Sequence, residues 1–209
     1  MRLKNVKGAS EIIIKGKYYV NNPYDNKGTW NKLFNNNNPI KIEIGMGKGD
    51  FIIENALKYP NINFIGIEKY DSVIVRAIQK SNELELTNLK LVRIDAIKIN
   101  DIFSNEIDTI YLNFSDPWPK DRHAKRRLTS PIFLSIYDNI FKNDKTIIMK
   151  TDNLNLFNYS LGTLKDHGYK IIYETNDLHS ENQEDNIMTE YEKKFVRKGI
   201  KINKLIAKK

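Results

Sequence analysis

Apolar positions along this chain switch repeatedly between a period of two and a period near 3.6. Ile40-Lys-Ile-Glu-Ile44 alternates and is β-branched, which predicts a strand. Gly45 to Gly49 reads as a turn, and Phe51 to Tyr59 follows with helical spacing until Pro60 stops it. Asn63 to Ile67 predicts a second strand, and residues 70–85 a helix with Val73, Ala77 and Ile78 on one side. Leu89 to Ile94 and Asp108 to Asn113 predict the third and fourth strands. Ser130-Pro131 marks a helix start, since proline suits the first helical position; that helix is expected to reach Phe141. Thr146 to Lys150 predicts the fifth strand, after which Thr151 or Asp152 caps a helix ending near Gly168. Tyr169 to Thr175 and Glu190 to Arg197 predict the last two strands. Strands alternating with helices imply βαβ units and a parallel sheet. The last two have no helix between them, so one is expected to run antiparallel.

Residues 1–38 break this rhythm. They hold Lys4, Lys7, Lys15, Lys17, Lys27 and Lys32 with Tyr18, Tyr19, Tyr24 and Trp30 interleaved, and end in Asn35 to Asn38 and Pro39. The composition predicts a loosely ordered basic N-terminal arm and linker ahead of a folded domain over residues 39–209. Basic residues with aromatics hold RNA by charge and stacking. The same residues also suit an arm packed on the core, and both uses stay open.

Composition narrows the chemistry. There is no cysteine, which excludes disulfides, a zinc ribbon, a thiol nucleophile and an iron–sulfur site. The imidazoles are His123, His167 and His179, no two at metal-site spacing, so no metal site is expected. No stretch approaches the roughly 20 apolar residues that cross a bilayer. No apolar core follows the basic N-terminus, so a cytoplasmic address away from membranes is expected. Lys plus Arg number 34 against 26 Asp plus Glu, a formal charge of +8. That suits a polyanion, or equally a solvated lysine surface. The distribution favours the former: of seven arginines, Arg122, Arg126 and Arg127 fall within six residues, and arginine is the residue of planar phosphate recognition.

Two motifs carry chemistry. Glu43-Ile-Gly45-Met-Gly47-Lys-Gly49 leads from the first strand through a glycine turn into a helix, where open α/β sheets bind ligands. A dinucleotide fingerprint places its third glycine where Asp50 stands, and Glu43 disfavours a pyrophosphate. With Glu68 and Asp95 ending the next two strands, the arrangement suits a cationic nucleoside such as S-adenosylmethionine. Glu43 would suit an ammonium, Glu68 is placed to accept from ribose hydroxyls, and Asp95 is expected to meet an adenine amino group. The second motif is Asn113-Phe-Ser-Asp116-Pro-Trp118-Pro-Lys120-Asp-Arg122-His123-Ala-Lys125-Arg126-Arg127-Leu. Its prolines stiffen a loop that holds Asp116 at a strand end beside the flat face of Trp118. Lys120 and the following cations suit RNA phosphates, with Arg122, Lys125, Arg126 and Arg127 expected to contact them. His123 is expected on that surface, and His167 and His179 to be structural or exposed.

These motifs resemble the bacterial tRNA (guanine-N(7)-)-methyltransferase family. It shows a Glu-Ile-Gly-x-Gly-x-Gly turn, an acid ending the second strand, and an Asn-Phe-x-Asp-Pro-Trp-Pro-Lys-x-Arg-His-x-Lys-Arg-Arg-Leu block. Thr151-Asp152 and Thr189-Glu190-Tyr191-Glu192 match its later motifs, so the resemblance spans about residues 39–197 in order. Ser115 departs from the usual proline. The resemblance implies an α/β, class I S-adenosylmethionine-dependent methyltransferase (Rossmann-like) fold, with helices on both faces of a seven-stranded, mostly parallel sheet whose last strand is antiparallel. It implies methylation of a guanine in the tRNA variable loop. Glu43, Gly45, Gly47, Glu68, Asp95 and Asp116 would contact the cofactor, with Asp116 also catalytic. Lys120, Asp152, Thr189, Glu190, Tyr191 and Glu192 would contact the substrate. Monomer and homodimer both remain open. Amino-group methyltransferases, which carry adjacent prolines at that strand end, and nicotinamide oxidoreductases fit less well. A non-catalytic RNA-binding scaffold would have no use for the intact acids.

Overall fold

In the computed structural model, which describes residue 6, residues 8–181 and residues 185–209, β1 (Ile40–Ile44), β2 (Asn63–Glu68), β3 (Leu89–Arg93), β4 (Ile107–Asn113), β5 (Phe141–Thr151), β6 (Lys170–Thr175) and β7 (Asn203–Lys208) form one sheet. Its order is β3-β2-β1-β4-β5-β7-β6. The first five strands pair in parallel. β7 runs antiparallel to both neighbours, inserted between β5 and β6. The helices are α1 (Ala9–Ile14), α2 (Trp30–Phe34), α3 (Asp50–Lys58), α4 (Asp71–Asn82), α5 (Pro131–Asp138), α6 (Leu154–Asp166) and α7 (Glu190–Val196).

Alternation along the strands divides the core. Ile42 and Ile44 of β1 face one layer with Phe133, Leu134 and Tyr137 of α5 and Leu156, Phe157 and Leu164 of α6. The other layer collects Ile13 of α1, Phe51 and Ile52 of α3, and Ile74, Val75 and Ile78 of α4 against Phe64 and Leu91 of the sheet. Helices therefore cover both faces.

The structure corrects several sequence expectations. Residues Glu190–Val196 are a helix, and the last strand lies further on, at Asn203–Lys208. Thr189 and Glu192 form a capping box: Thr189 Oγ1 accepts from the Glu192 amide at 2.9 Å while the Glu192 carboxylate accepts from the Thr189 amide. That pair starts a helix locally whatever the strand propensity of Tyr191, Phe195 and Val196. The cap of α6 is neither Thr151 nor Asp152 but Asn153, whose Oδ1 accepts from the Leu156 amide at 2.8 Å. The helix opened by Pro131 ends at Asp138, because Phe141 already belongs to β5.

The segment expected to be a loose arm is folded over residues 8–38. Trp30 is fully buried and its Nε1 donates to the Ile102 carbonyl at 2.7 Å. The buried Tyr18 hydroxyl donates to the Leu84 carbonyl and accepts from the Leu86 amide at 2.8 Å. The backbone at Tyr18 and Val20 bonds to Leu91, so the segment covers the outer edge of β3. Burial removes Trp30 and Tyr18 from any stacking role, whereas Tyr24 stays exposed. Lys4 and Lys7 lie outside the described residues. Among the described residues, no helix is long and apolar enough to cross a membrane.

Candidate functional site

Strand order reverses between β1 and β4, and open α/β sheets bind ligands in the crevice at that point. Glu43 and Asn113 sit at the ends of these two strands, where Asn113 Nδ2 donates to Glu43 Oε1 at 2.9 Å. Glu43 Oε2 and Asn113 Oδ1 are buried, and no described residue satisfies either acceptor. Burial pushes the Glu43 carboxyl up to about 8, against the opposing pull of the Asn113 bond and the Lys150 charge. Two unsatisfied buried acceptors side by side fit a cationic donor, because each is costly to leave unpaired. The residues present thus fit the ammonium of an aminoacyl-type cofactor.

A cleft of about 410 Å³ opens from this pair. Gly45 and Gly47 border it with φ of +76° and +60°, in the left-handed region, and a Cβ at either would meet nothing within 4 Å. The backbone is therefore bare toward the cleft, ready for close approach by a ligand. At the end of β2, Glu68 accepts from the amides of Lys69, Tyr70 and Gly47 at 2.8, 3.1 and 3.2 Å. Burial raises its carboxyl while these bonds oppose the rise, and the Asp116 charge adds to it. Asp95 caps the short 3₁₀ turn Ala96–Asp101 through the Ile97 amide and pairs with Lys69 at 2.6 Å. Partial burial works against its charge, but the Lys69 and Ile97 bonds win and hold its pKa below the usual range.

The loop after β4 forms the cleft's other wall. Phe114 and Trp118 adopt φ of +51° and +43°, costly for residues with a side chain. Between them, Asp116 is exposed at the cleft mouth. Arg127 sets this loop: its Nε and Nη2 donate to the carbonyls of Pro117 and Trp118 at 3.1 and 3.0 Å, and its guanidinium lies 4.3 Å from the Tyr159 ring. Arg126 instead covers the Trp118 ring at 4.8 Å, with His123 on the same indole at 5.9 Å.

The start of α7 completes the site. Tyr191 is 57% exposed and stacks on Phe114 at 6.4 Å. Glu190 pairs with Lys48 of the glycine turn at 2.7 Å. Beneath them Glu192 is fully buried. Its Oε2 takes Lys150 Nζ at 2.6 Å and its Oε1 takes Asn186 at 2.7 Å and His179 at 3.0 Å. Lys150 also donates to the Ile187 carbonyl at 2.8 Å.

One cleft thus gathers Glu43, Gly45, Gly47, Glu68, Asp95, Asp116, Arg126, Thr189, Glu190 and Tyr191. Lys120, Arg122 and Lys125 are exposed on the adjoining loop and 3₁₀ turn, outside the cleft lining, and Asp152 is exposed beyond β5. Two residues depart from the sequence expectation. Glu192, expected to face the substrate, is buried with its carboxylate on Lys150, Asn186 and His179. Arg127, expected on the RNA surface, is buried and donates to the loop carbonyls of Pro117 and Trp118. His167 and His179 take structural partners, Asp138 at 2.8 Å and Glu192. Sequence reasoning missed the roles of Asn113 and Lys150. A lysine closing the apolar run Ile147-Ile148-Met149 was the available signal for the latter.

A family model described as "Putative methyltransferase" matches residues 37–205. The tRNA (guanine-N(7)-)-methyltransferase of Lachnoclostridium phytofermentans is 54% identical over 99% of this chain and 98% of its own. That of a Geobacillus species is 50% identical over 97% of this chain and 93% of its own. Among solved structures, an antibiotic-related methyltransferase superposes with a TM-score of 0.66 at 17% identity, covering 93% of this chain and 98% of its own, which speaks to the fold. With a site of this geometry and relatives this similar along nearly its whole length, the chain belongs to the tRNA (guanine-N(7)-)-methyltransferase family.

Proposed function

We propose that this chain transfers a methyl group from S-adenosylmethionine to N7 of a guanine in the variable loop of tRNA, forming 7-methylguanosine. The observation that carries the reading is the pair of unsatisfied buried acceptors, Glu43 Oε2 and Asn113 Oδ1, in a cleft whose opposite wall is the Asp116–Trp118 loop. A tRNA substrate supports the expected cytoplasmic address.

S-adenosylmethionine supplies an electrophilic methyl group on a sulfonium. Guanine N7 carries a free lone pair and no proton, so no general base is needed at the attacking atom. The chain's task is placement, which is worth up to about 7–11 kcal/mol when the reacting atoms are held in line. Glu43 and Asn113 accept from the cofactor's ammonium, and the bare backbone at Gly45 and Gly47 lets the cofactor lie close. Glu68, its carboxylate already fixed by three amides, accepts from the ribose hydroxyls. Asp95, held by Lys69, sits at the cleft rim for the adenine amino group. Asp116 accepts hydrogen bonds from the Watson–Crick edge of the guanine. Its charge offsets the positive charge that the purine gains as the methyl arrives. Trp118 and Tyr191 offer flat faces at the cleft mouth. Lys120, Asp152, Thr189 and Glu190 contact the substrate around it, and Arg122, Lys125 and Arg126 take its phosphates.

The test is to incubate the protein with unmodified tRNA transcript and methyl-labelled S-adenosylmethionine, digest the RNA and identify the labelled nucleoside. Labelled 7-methylguanosine supports the reading. A different methylated nucleoside, or no label at all, sinks it.

A further inference from the structure

Helix α7 carries a second charged surface. Read as a strand, Lys193, Lys194, Arg197 and Lys198 would be divided between two faces. In the helix and the turn that follows, spacings of three and four place them together. They line a shallow, open groove along α7 that begins at Glu190, a residue shared with the methyl-transfer cleft. Lys193 is neutralised by Glu54 at 3.0 Å. Lys194, Arg197 and Lys198 are exposed and form no ion pair among the described residues. Three like charges this close repel one another, and the repulsion is relieved by a polyanion rather than by another protein surface of mixed charge. The base of the helix does not yield, because Glu192 ties it to Lys150 in the interior.

We propose that this groove is a second RNA-backbone site. It takes phosphates of the substrate on the α7 side of the cleft, while Arg122, Lys125 and Arg126 grip the other side. The proposal rests on the tRNA reading above. Phosphates held on both flanks would fix the target nucleotide over Asp116 better than one flank alone.

The test replaces Lys194, Arg197 and Lys198, all outside the cleft, first by glutamate and then by glutamine. Affinity for unmodified tRNA is measured by fluorescence anisotropy across a salt series, with cofactor affinity measured by calorimetry. The expected result is at least about a tenfold loss of tRNA affinity at low salt. The slope of log affinity against log salt should flatten by about two to three, near one per lost contact, with cofactor affinity unchanged. The glutamine variant removes the repulsion without adding charge, so it reads out the surface should the glutamate variant misfold. Unchanged affinity and slope, with wild-type protein still forming 7-methylguanosine, overturn the groove alone. Wild-type protein that binds no tRNA overturns both the groove and the tRNA reading. A variant that sediments as a smaller species while keeping its tRNA affinity assigns the groove to self-association instead.

Discussion

The ammonium of Lys150 and the carboxylate of Glu192 meet at 2.6 Å, with their side chains 3% and 0% exposed. Both charges have left water, which is expensive unless every remaining donor and acceptor is met. Here Asn186 and Ile187 complete the lysine, and His179 and Asn186 complete the glutamate. Burial still lowers the Lys150 pKa against the pull of Glu192. The pair joins β5 to the first turn of α7, and through it Tyr191 and Glu190 are set at the cleft.

Removing one partner strands the other. Lys150→Met and Glu192→Gln should each lower unfolding free energy by about 3–5 kcal/mol, read from urea denaturation. The double replacement by apolar residues of similar size should cost clearly less than the two single losses added together. Single losses below about 1 kcal/mol would show that the pair is hydrated in solution.

Glu43 should make both stability and cofactor binding depend on pH. Its carboxyl titrates near 4.5 when unfolded and about 8 in the folded chain. Between those values the native state holds a proton that the unfolded state has lost, so stability falls as pH rises from about 4.5 to about 8. The full effect is on the order of 4–5 kcal/mol. Glu43→Gln should remove this slope and be the more stable protein at pH 8. A bound ammonium draws the carboxyl back to its ionised form, so cofactor binding near pH 7 should release close to one proton. Calorimetry in two buffers of different ionisation enthalpy reads that number. Equal heats in both buffers would place the charge elsewhere.

The central sheet was legible because β1 alternates β-branched residues and short apolar strands recur between helical spacings, and the glycine turn because it follows the first of them. The cleft acids were legible because strand ends converge at the switch point. What stayed hidden depends on partners far away in sequence. Lys150 and Glu192 lie 42 residues apart, and nothing local pairs them. Arg127 is indistinguishable from Arg126 as a letter, and only the 3₁₀ turn Asp121–Arg126 aims one at the loop carbonyls and the other at Trp118. For Trp30 the sequence left stacking and core packing equally open, because burial against Ile102 is a tertiary fact. The reading of α7 as a strand had a local remedy in Thr189-x-x-Glu192, which signals a helix start before any packing is known.

Asp116 is exposed at the cleft mouth between two residues of positive φ. Asp116→Ala should reduce kcat for methylation by about a hundredfold or more, the scale on which a preorganised electrostatic partner acts. tRNA affinity, set by phosphate contacts, should change little. Asp116→Asn keeps hydrogen-bonding capacity but loses the charge, so a partial rescue measures how much of the effect is charge. Full activity in the alanine variant would remove Asp116 from the chemistry.

Arg127 acts on Asp116 through the backbone. Its planar fork meets two successive carbonyls, those of Pro117 and Trp118, and its face lies on Tyr159. Lysine has one ammonium, no fork and no plane to stack, so Arg127→Lys keeps the charge and loses the brace. The left-handed backbone at Trp118, unfavourable by about 1–2 kcal/mol on its own, would then be free to relax and carry Asp116 with it. A misplacement of about 1 Å in a positioning loop costs up to about a hundredfold in rate. Arg127→Lys should therefore lower kcat by about ten- to a hundredfold while leaving KM for tRNA and the salt dependence of binding near wild type. A phosphate contact would show the reverse pattern, with lysine substituting well in kcat and neutral Arg127→Gln raising KM and flattening the salt slope. Steady-state kinetics on these two variants at two salt concentrations separates a brace from a phosphate ligand.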